Sequence, residues 1–146
     1  MRRALCVIAL FCSTGLTSVT AQEPPPPTGE RGLGFKLEQN YPNPFNPDTR
    51  IPFELEDELF EEGKPVTVSI RIYNILTQFV AAPVALRHPG GEGLPLLQLG
   101  YTSPGRYEAY WDGRDRHGKQ VASGVYFVQM RVDDRGPAVR RMFVTK

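Results

Sequence analysis

The sequence predicts an all-β domain, an antiparallel β-sandwich of about seven strands. Gly and Pro are frequent, with 14 of each in 146 residues, and neither is well tolerated inside a long helix. From Phe35 onward apolar and polar residues alternate repeatedly, which is the period of a half-buried strand, and no apolar period of 3.6 residues recurs. Gly, Pro, Asn and Asp separate the alternating segments, as is typical of a sandwich.

The clearest strand is 66–72, where valine and isoleucine alternate with Thr67, Ser69 and Arg71. Residues 125–132 are apolar or aromatic at most positions, which predicts a central strand. The acidic segment 56–63 is expected to be a loop with Leu59 or Phe60 packed inward, and one helical turn is the alternative. The predicted strands are 35–37, 51–55, 66–72, 78–84, 106–111, 125–132 and 139–145. The predicted core includes Phe53, Val68, Ile70, Ile72, Trp111 and Phe127.

Residues 1–21 have the three parts of a secretory signal peptide: a basic start, an apolar segment and a small-residue end. Cleavage is expected between Ala21 and Gln22. An uncleaved membrane anchor is the alternative, but the apolar run is about 13 residues, shorter than the ~20 that a spanning helix needs. Lipidation of Cys12 is a further alternative, disfavoured by the bulky Phe11 before it. The leader therefore predicts export through the inner membrane.

Cleavage would also change the chemistry of the chain. Cys6 and Cys12 both lie in the leader, so the exported chain would contain no disulfide and would depend on packing alone. Loss of Arg2 and Arg3 would leave 15 basic and 16 acidic residues, a net charge of −1 instead of +1. Nothing in this charge balance favours a nucleic-acid partner.

Residues 22–34, QEPPPPTGERGLG, are predicted to form a linker. Four consecutive prolines favour an extended polyproline II segment, and the glycines after them favour flexibility. A tether is the favoured interpretation, and a ligand for a proline-binding domain is the alternative. The sandwich is then expected to span 35–146.

Two turns carry the most specific residues. The segment 41–47, YPNPFNP, contains three prolines, which predict a rigid corner where Tyr41 and Phe45 can be buried. The segment 111–118, WDGRDRHG, contains Asp-Gly and His-Gly pairs that are typical of a turn between strands.

Several strings closely resemble the type A C-terminal sorting domains of the type IX secretion system. They are LEQNYPNPFNP at 37–47, TRIPF at 49–53, VSIRIYNIL at 68–76, YWDGRD at 110–115, ASGVYF at 122–127 and RRMFVTK at 140–146. The family-motif residues expected to be structural are Asn40, Tyr41, Pro42, Asn43, Pro44, Phe45, Asn46, Pro47, Trp111, Asp112 and Gly113.

This resemblance implies an Ig-like fold, similar to that of the flagellar hook-capping protein, and a non-enzymatic role in transport. The implied partner is the secretion machinery of the outer membrane, and the implied location is the cell surface or the medium, alternatively the periplasm. Candidate sorting residues are Gly124, Tyr126, Arg140, Arg141 and Lys146. Since only leader and linker precede the domain, either the sandwich is itself the product or the gene is a truncated or split form. The alternative function is a structural or adhesive envelope module that binds a protein through a sheet edge or residues 87–104.

Two features depart from the family pattern. Thr77 stands where the family usually has Gly after the Tyr-Asn-x-Leu turn. The connection 87–104 is longer than usual, and 94–99 could add a short edge strand. Tolerated surface length is the favoured interpretation of this insertion, and an exposed apolar patch for a partner is the alternative.

Catalytic and ligand sites are expected to be absent. The chain after the leader has His88, His117 and three serines, Ser69, Ser103 and Ser123, but none lies in a recognisable hydrolase motif. The acidic residues of 54–62 are interpreted as a solvated face, since nothing apolar surrounds them to shift a pKa, and a pair of catalytic carboxylates is the alternative. No cofactor or small-molecule substrate is predicted.

Asp112 and Asp115 are weak candidates for calcium ligands, because both lie in one glycine-flanked loop. Their spacing differs from the D-x-D-x-D-G loop, and Arg114 and Arg116 add positive charge beside them. Carboxylates that bond nearby backbone N–H groups in a turn are the favoured interpretation. Trp111 is expected in the core, with a carbohydrate platform as the alternative.

Overall fold

A computed structural model describes residues 32–146, and these residues form two antiparallel sheets packed as a sandwich. The predicted all-β class is therefore confirmed. The predicted leader and residues 22–31 of the linker lie outside the described residues. No helix within 32–146 is long and apolar enough to cross a membrane. The strands are β1 Phe35–Leu37, β2 Thr49–Leu55, β3 Val66–Asn74, β4 Phe79–Ala81, β5 Val84–Leu86, β6 Leu99–Tyr101, β7 Gly105–Trp111, β8 Gly124–Val132 and β9 Ala138–Val144.

The four-stranded sheet has the order β1-β2-β7-β5, and the five-stranded sheet has the order β4-β3-β8-β9. β6 also belongs to the second sheet, where it pairs with the first three residues of β3. β8 lies between β3 and β9, which confirms that 125–132 is a central strand. The long β3–β8 and β2–β7 ladders form the middle of the two sheets.

The core lies between the sheets and follows the period-two pattern. Phe53, Val68, Ile70, Ile72 and Trp111 are buried, as predicted. Phe127 was predicted inside, and this is wrong. Both neighbours that pair with Phe127, Tyr73 of β3 and Arg141 of β9, lie on the outer face. The inward residues of β8 are Tyr126, Val128, Met130 and Val132. Residues 125–128 are apolar or aromatic on both faces, so this half of β8 did not reveal which face was buried, whereas Gln129 and Arg131 in the other half share the outer face with Phe127.

The predicted strand 78–84 is two strands that belong to different sheets. Residues 82–83 interrupt it, so that β4 pairs with β3 and β5 pairs with β7. Pro83 lacks the N–H that a continuous ladder would use. The acidic segment also differs from the prediction, since Asp57–Phe60 form a 3₁₀ helix instead of a loop. Leu59 and Phe60 do pack inward against the core, as expected.

The insertion 87–104 closes one lateral side of the sandwich: most of it lies at the surface, but Leu96 and Tyr101 are buried. Ala85 donates its N–H to Leu94 O (2.7 Å), and Leu96 donates to Pro83 O (2.9 Å) along the free edge of β5. The same segment then crosses to the other sheet, where Ile70 donates to Leu96 O (2.7 Å). The Leu96 side chain is fully buried. Among the large hydrophobic residues of this segment, Leu97 is the one that is exposed.

The turn between β3 and β4 places Thr77 at φ +61°, in the left-handed region. Asn74 stabilises this turn, because its side-chain oxygen accepts hydrogen bonds from the N–H groups of Leu76 and Gln78, each at 3.0 Å. A β-branched residue is strained at positive φ, whereas Gly is not. The position where this chain departs from the family pattern is therefore one where Gly would fit the backbone better.

Candidate functional site

The segment 41–47 covers the free edge of the C-terminal strand β9. Phe45 donates its N–H to Phe143 O (2.9 Å) and accepts from the N–H of Thr145 (3.0 Å), a parallel bridge on the side of β9 opposite β8. Asn43 adds a side-chain contact, since its Oδ1 accepts from the N–H of Phe143 (2.9 Å). Gln39, which the sequence analysis did not single out, donates to Arg141 O (2.9 Å). Two strings about 100 residues apart thus form one structural unit.

A buried polar network stabilises the shape of this corner. Asn40 and Thr49 are nearly inaccessible to solvent, and they are the buried polar residues of the described chain. Asn40 donates from Nδ2 to Thr49 Oγ1 (3.0 Å) and to Pro42 O (3.1 Å), and Thr49 donates to the same carbonyl (3.1 Å). The X–Pro bonds at Pro42, Pro44 and Pro47 are all cis. Burying a polar group is costly unless it is hydrogen-bonded, so the hydrogen bonds of Asn40 and Thr49 favour this one conformation of the corner.

Three aromatic rings from the different strings pack together beneath the corner. Trp111 lies 5.4 Å from Phe45 and 5.8 Å from Tyr126, centroid to centroid, both with edge-on geometry. All three are buried, and the Trp111 indole N–H donates to Arg114 O (2.8 Å). Trp111 is therefore a core residue, as predicted, and its ring offers no platform for a carbohydrate. The cluster joins the 41–47 corner, the 111–118 turn and β8.

Gly113 allows the 111–118 turn to approach the corner directly. It has φ +71°, and a Cβ built on it would lie 2.3 Å from Pro47 O and 2.9 Å from Gln120 Nε2. An L-residue would thus be strained by its backbone and would also collide with the carbonyl of the corner. The Asp-Gly pair of this string has a packing role as well as a turn role.

Asp112 and Asp115 use their carboxylates to form the turn. Asp112 Oδ1 accepts from the N–H of Arg114 (3.0 Å), and Asp115 Oδ1 accepts from the N–H groups of His117 (2.8 Å) and Lys119 (3.0 Å). These backbone hydrogen bonds lower the pKa of Asp115 below its usual value. Within residues 32–146 no group of three or more His, Cys, Asp or Glu residues is arranged to hold a metal ion. The geometry fits the turn interpretation.

Gly124 and Tyr126 form a corner at the start of β8. Gly124 has φ +150°, a conformation that L-residues rarely adopt. Tyr126 is buried and donates its hydroxyl to Ala122 O (3.0 Å), four residues earlier. Burial raises the pKa of the Tyr126 phenol above its usual value. Such a back-bonded tyrosine resembles the tyrosine corner of Ig-like domains.

The same device occurs at the start of β7 in the other sheet. Gly105 has φ +147°, and Tyr107, two residues later, donates to Ser103 O (2.7 Å). The spacing of Gly and Tyr is identical to that at 124 and 126. The arrangement also occurs away from the candidate sorting residues. Its geometry is therefore explained by the way in which the chain turns into a strand, and does not by itself indicate a sorting role. The Tyr126 ring differs in contacting Trp111.

The candidate basic residues of the terminus have three different environments. Arg141 is exposed, and its guanidinium carbon lies 5.5 Å from the centre of the Phe143 ring. Arg140 is partly buried and donates to Val139 O (3.2 Å). Lys146 is exposed beside an open groove that also includes Arg116, Lys119 and Tyr126. The structure therefore places Lys146 near Tyr126 but puts the two adjacent arginines on opposite faces of β9.

Tyr41 is 47% exposed, so the expectation that it is buried is wrong. It pairs with Arg50 on β2, and partners across a ladder share a face, here the outer one. Its hydroxyl donates to Glu108, which also accepts from Arg50 (3.3 Å) and Arg87 (2.9 Å). The Tyr41 hydrogen bond and the two arginines lower the pKa of Glu108. Phe45 is buried, as expected.

The remaining polar candidates named below form hydrogen bonds or ion pairs with other residues of the domain. Ser69 donates to Leu97 O (2.6 Å), and His88 Nε2 lies 2.8 Å from Gly100 O. Ser103 lies 3.1 Å from the Tyr107 hydroxyl. In the acidic segment, Glu58 pairs with Arg135 (3.3 Å), and the pair is partly exposed. These contacts place no serine, histidine and acid together.

No protein-family model and no curated protein matches this chain. Among solved structures, the chain is similar to dimeric latent PorU from Porphyromonas gingivalis, at 17% identity and a TM-score of 0.49, over 76% of this chain and 9% of that one. It is also similar to PorZ, described as an essential bacterial surface component of the type-IX secretion system of the same organism, at 23% identity and a TM-score of 0.43, over 74% of this chain and 11% of that one. The chain thus spans about a tenth of either protein.

Proposed function

We propose that this chain is a non-enzymatic, exported module that acts as a C-terminal sorting signal for transport across the outer membrane by type IX secretion. The proposal begins from the strings at 37–53, 110–127 and 140–146 that resemble the sorting family. One observation supports it most: these strings, distant in sequence, form a single end of the sandwich around β9. A receptor can recognise several strings together only if they lie in one region of the surface.

The geometry suggests how a folded domain could present its terminus. The backbone of β9 is bonded on one side to β8 and on the other to Phe45, so the last strand is fixed in place. The side chains of Arg141, Thr145 and Lys146 remain exposed at this end. A receptor could therefore contact the terminal charges without unfolding the domain, and such contacts need no catalytic group.

A secretion assay tests the proposal. A folded reporter is fused before Phe35 and followed in a host with the type IX system, together with the same reporter lacking 35–146. The double variant Arg141→Ala/Lys146→Ala should lower surface arrival at least fivefold and leave the reporter in the periplasm. Lys64→Ala is the matched control, because Lys64 is also exposed but lies in the connection before β3, outside the site.

The outcomes separate the possibilities. Equal surface arrival with and without residues 35–146 would show that the domain is not a sorting signal. Normal arrival of the double variant alone would remove the role of Arg141 and Lys146. Urea unfolding of the variants distinguishes lost recognition from lost stability, since exposed substitutions should change the free energy of unfolding by no more than about 0.5 kcal/mol.

A further inference from the structure

The outer faces of the two sheets differ in whether their charges are paired. On the four-stranded sheet Glu108 is paired with Arg50 and Arg87, and Arg106 with Glu38 (2.5 Å). That face neutralises its own charges. On the five-stranded sheet no ion pair among the described residues involves Arg71, Arg131 or Arg141. This second face thus presents arginines without acidic partners.

Register places these arginines beside aromatic residues. Arg141 pairs with Phe127, which pairs in turn with Tyr73, and the Tyr73 ring lies 6.3 Å from that of Phe79. One row therefore crosses four strands as Phe-Tyr-Phe-Arg. Arg71 and Arg131 lie below this row in adjacent strands, on diagonal positions roughly 7–8 Å apart. We call the outer face of β4, β3, β8 and β9 the arginine–aromatic face.

Exposed apolar side chains concentrate on and around this sheet. Of the six large hydrophobic residues exposed within 32–146, five belong to the five-stranded sheet or its flanks. Val139 and Phe143 lie on the outer side of β9. The exposed fractions are Ile75 68%, Leu76 71%, Leu97 41%, Val139 43% and Phe143 38%, against Tyr41 47% over the other sheet. Tyr41 differs because its hydroxyl is bonded to Glu108.

We infer that the arginine–aromatic face is a docking surface for a protein partner with an acidic surface. Aromatic residues and arginine are the residue types most enriched in protein interfaces. Carboxylates on the partner would complement these guanidinium groups, which form no ion pair within the described residues. The acid at the lower end of this face, Asp133, already accepts a hydrogen bond from the Thr67 N–H (2.8 Å).

The size of the face indicates a transient contact. Strands about 4.8 Å apart and side-chain rows about 6.8 Å apart give about 33 Å² for each outward side chain, so the outward positions of these four strands cover roughly 400 Å². Stable interfaces bury about 800 Å² on each partner, so this contact falls in the weak class. A protein fits this face better than an acidic polysaccharide, because a protein can also bury apolar side chains such as Val125 and Val139. The docking surface does not depend on whether the partner belongs to the export machinery.

Photocrosslinking in the bacterium that produces the chain tests this. The crosslinker p-benzoylphenylalanine replaces Phe127 on the arginine–aromatic face or, as the matched control, Tyr110 on the outer face of β7. The expected result is one protein adduct from position 127 only, attached through an acidic segment that mass spectrometry identifies. The double variant Arg71→Glu/Arg131→Glu should reduce the adduct at least fivefold, with Trp111 fluorescence showing that the domain is still folded.

Every other result overturns the inference. These results are no adduct from 127, equal adducts from 127 and 110, insensitivity to the arginine reversals, a dimer of this chain, or a polysaccharide ladder. Surface arrival of the chain is measured in the same cells. Normal surface arrival without an adduct would reject the docking surface but not the sorting function. An adduct without surface arrival would reject the sorting function but not the docking surface.

Discussion

Replacing Gly113 by Ala should destabilise the domain because two motif strings touch there. The left-handed backbone at φ +71° costs an L-residue about 1–2 kcal/mol. The new Cβ would also lie 2.3 Å from Pro47 O, a backbone atom in a corner held by Asn40 and Thr49. Forcing these segments apart should add about 1–3 kcal/mol, as for other overpacked sites. The expected total loss is roughly 2–5 kcal/mol, a large part of the usual stability of a domain.

Gly118→Ala is the matched control, because Gly118 lies in the same turn at φ +77° and its Cβ would meet nothing within 4 Å. It should lose only the backbone term of about 1–2 kcal/mol. Urea unfolding measures both, with the fluorescence of Trp111, the single and buried tryptophan, as the probe. If the two variants differ by less than about 0.5 kcal/mol, the close approach of the strings contributes nothing.

Four further outcomes are expected, each measured by urea unfolding. Leu96→Ala should cost about 2–5 kcal/mol as a core truncation, against less than ~0.5 for exposed Leu97→Ala, and equal losses would show that the insertion is not part of the core. Thr77→Gly should gain about 0.5–1 kcal/mol by relieving φ +61°, and a loss would contradict the strain. Tyr101→Phe should gain about 1 kcal/mol, because the buried Tyr101 hydroxyl has no hydrogen-bond partner among the described residues, and a loss would reveal one. Burial raises the pKa of the Tyr101 and Tyr126 phenols, so the unfolded chain loses these protons first, near pH 10. The contribution of these two phenols to stability should therefore be fully present below pH ~10, and the free energy of unfolding should fall above it by up to about 1.4 kcal/mol per pH unit for each group. A constant urea midpoint from pH 8 to 11 would refute this.

Local pattern accounted for most of the architecture. The alternation in 66–72 and 106–111 predicted both the strands and their buried faces, because the side-chain period of a strand is two. The segment 125–132 shows the limit of this reasoning. Its first half, 125–128, is apolar or aromatic on both faces, so that half predicted a central strand but did not decide between Phe127 and Tyr126 for the core. Gln129 and Arg131, which alternate with buried residues, share the face of Phe127 and mark it as the outer one.

Sequence by itself determined the all-β class, the corner at 41–47, the turn at 111–118 and the packing of Trp111. These follow from residue chemistry, since proline restricts φ, glycine permits positive φ, and large apolar side chains are buried. Tertiary structure decided what touches what. The contact of Phe45 with β9, the seal formed by Leu96 and the contrast between the two outer faces join residues far apart in the chain. Such contacts depend on which strand lies beside which, and neither composition nor local periodicity encodes that neighbourhood.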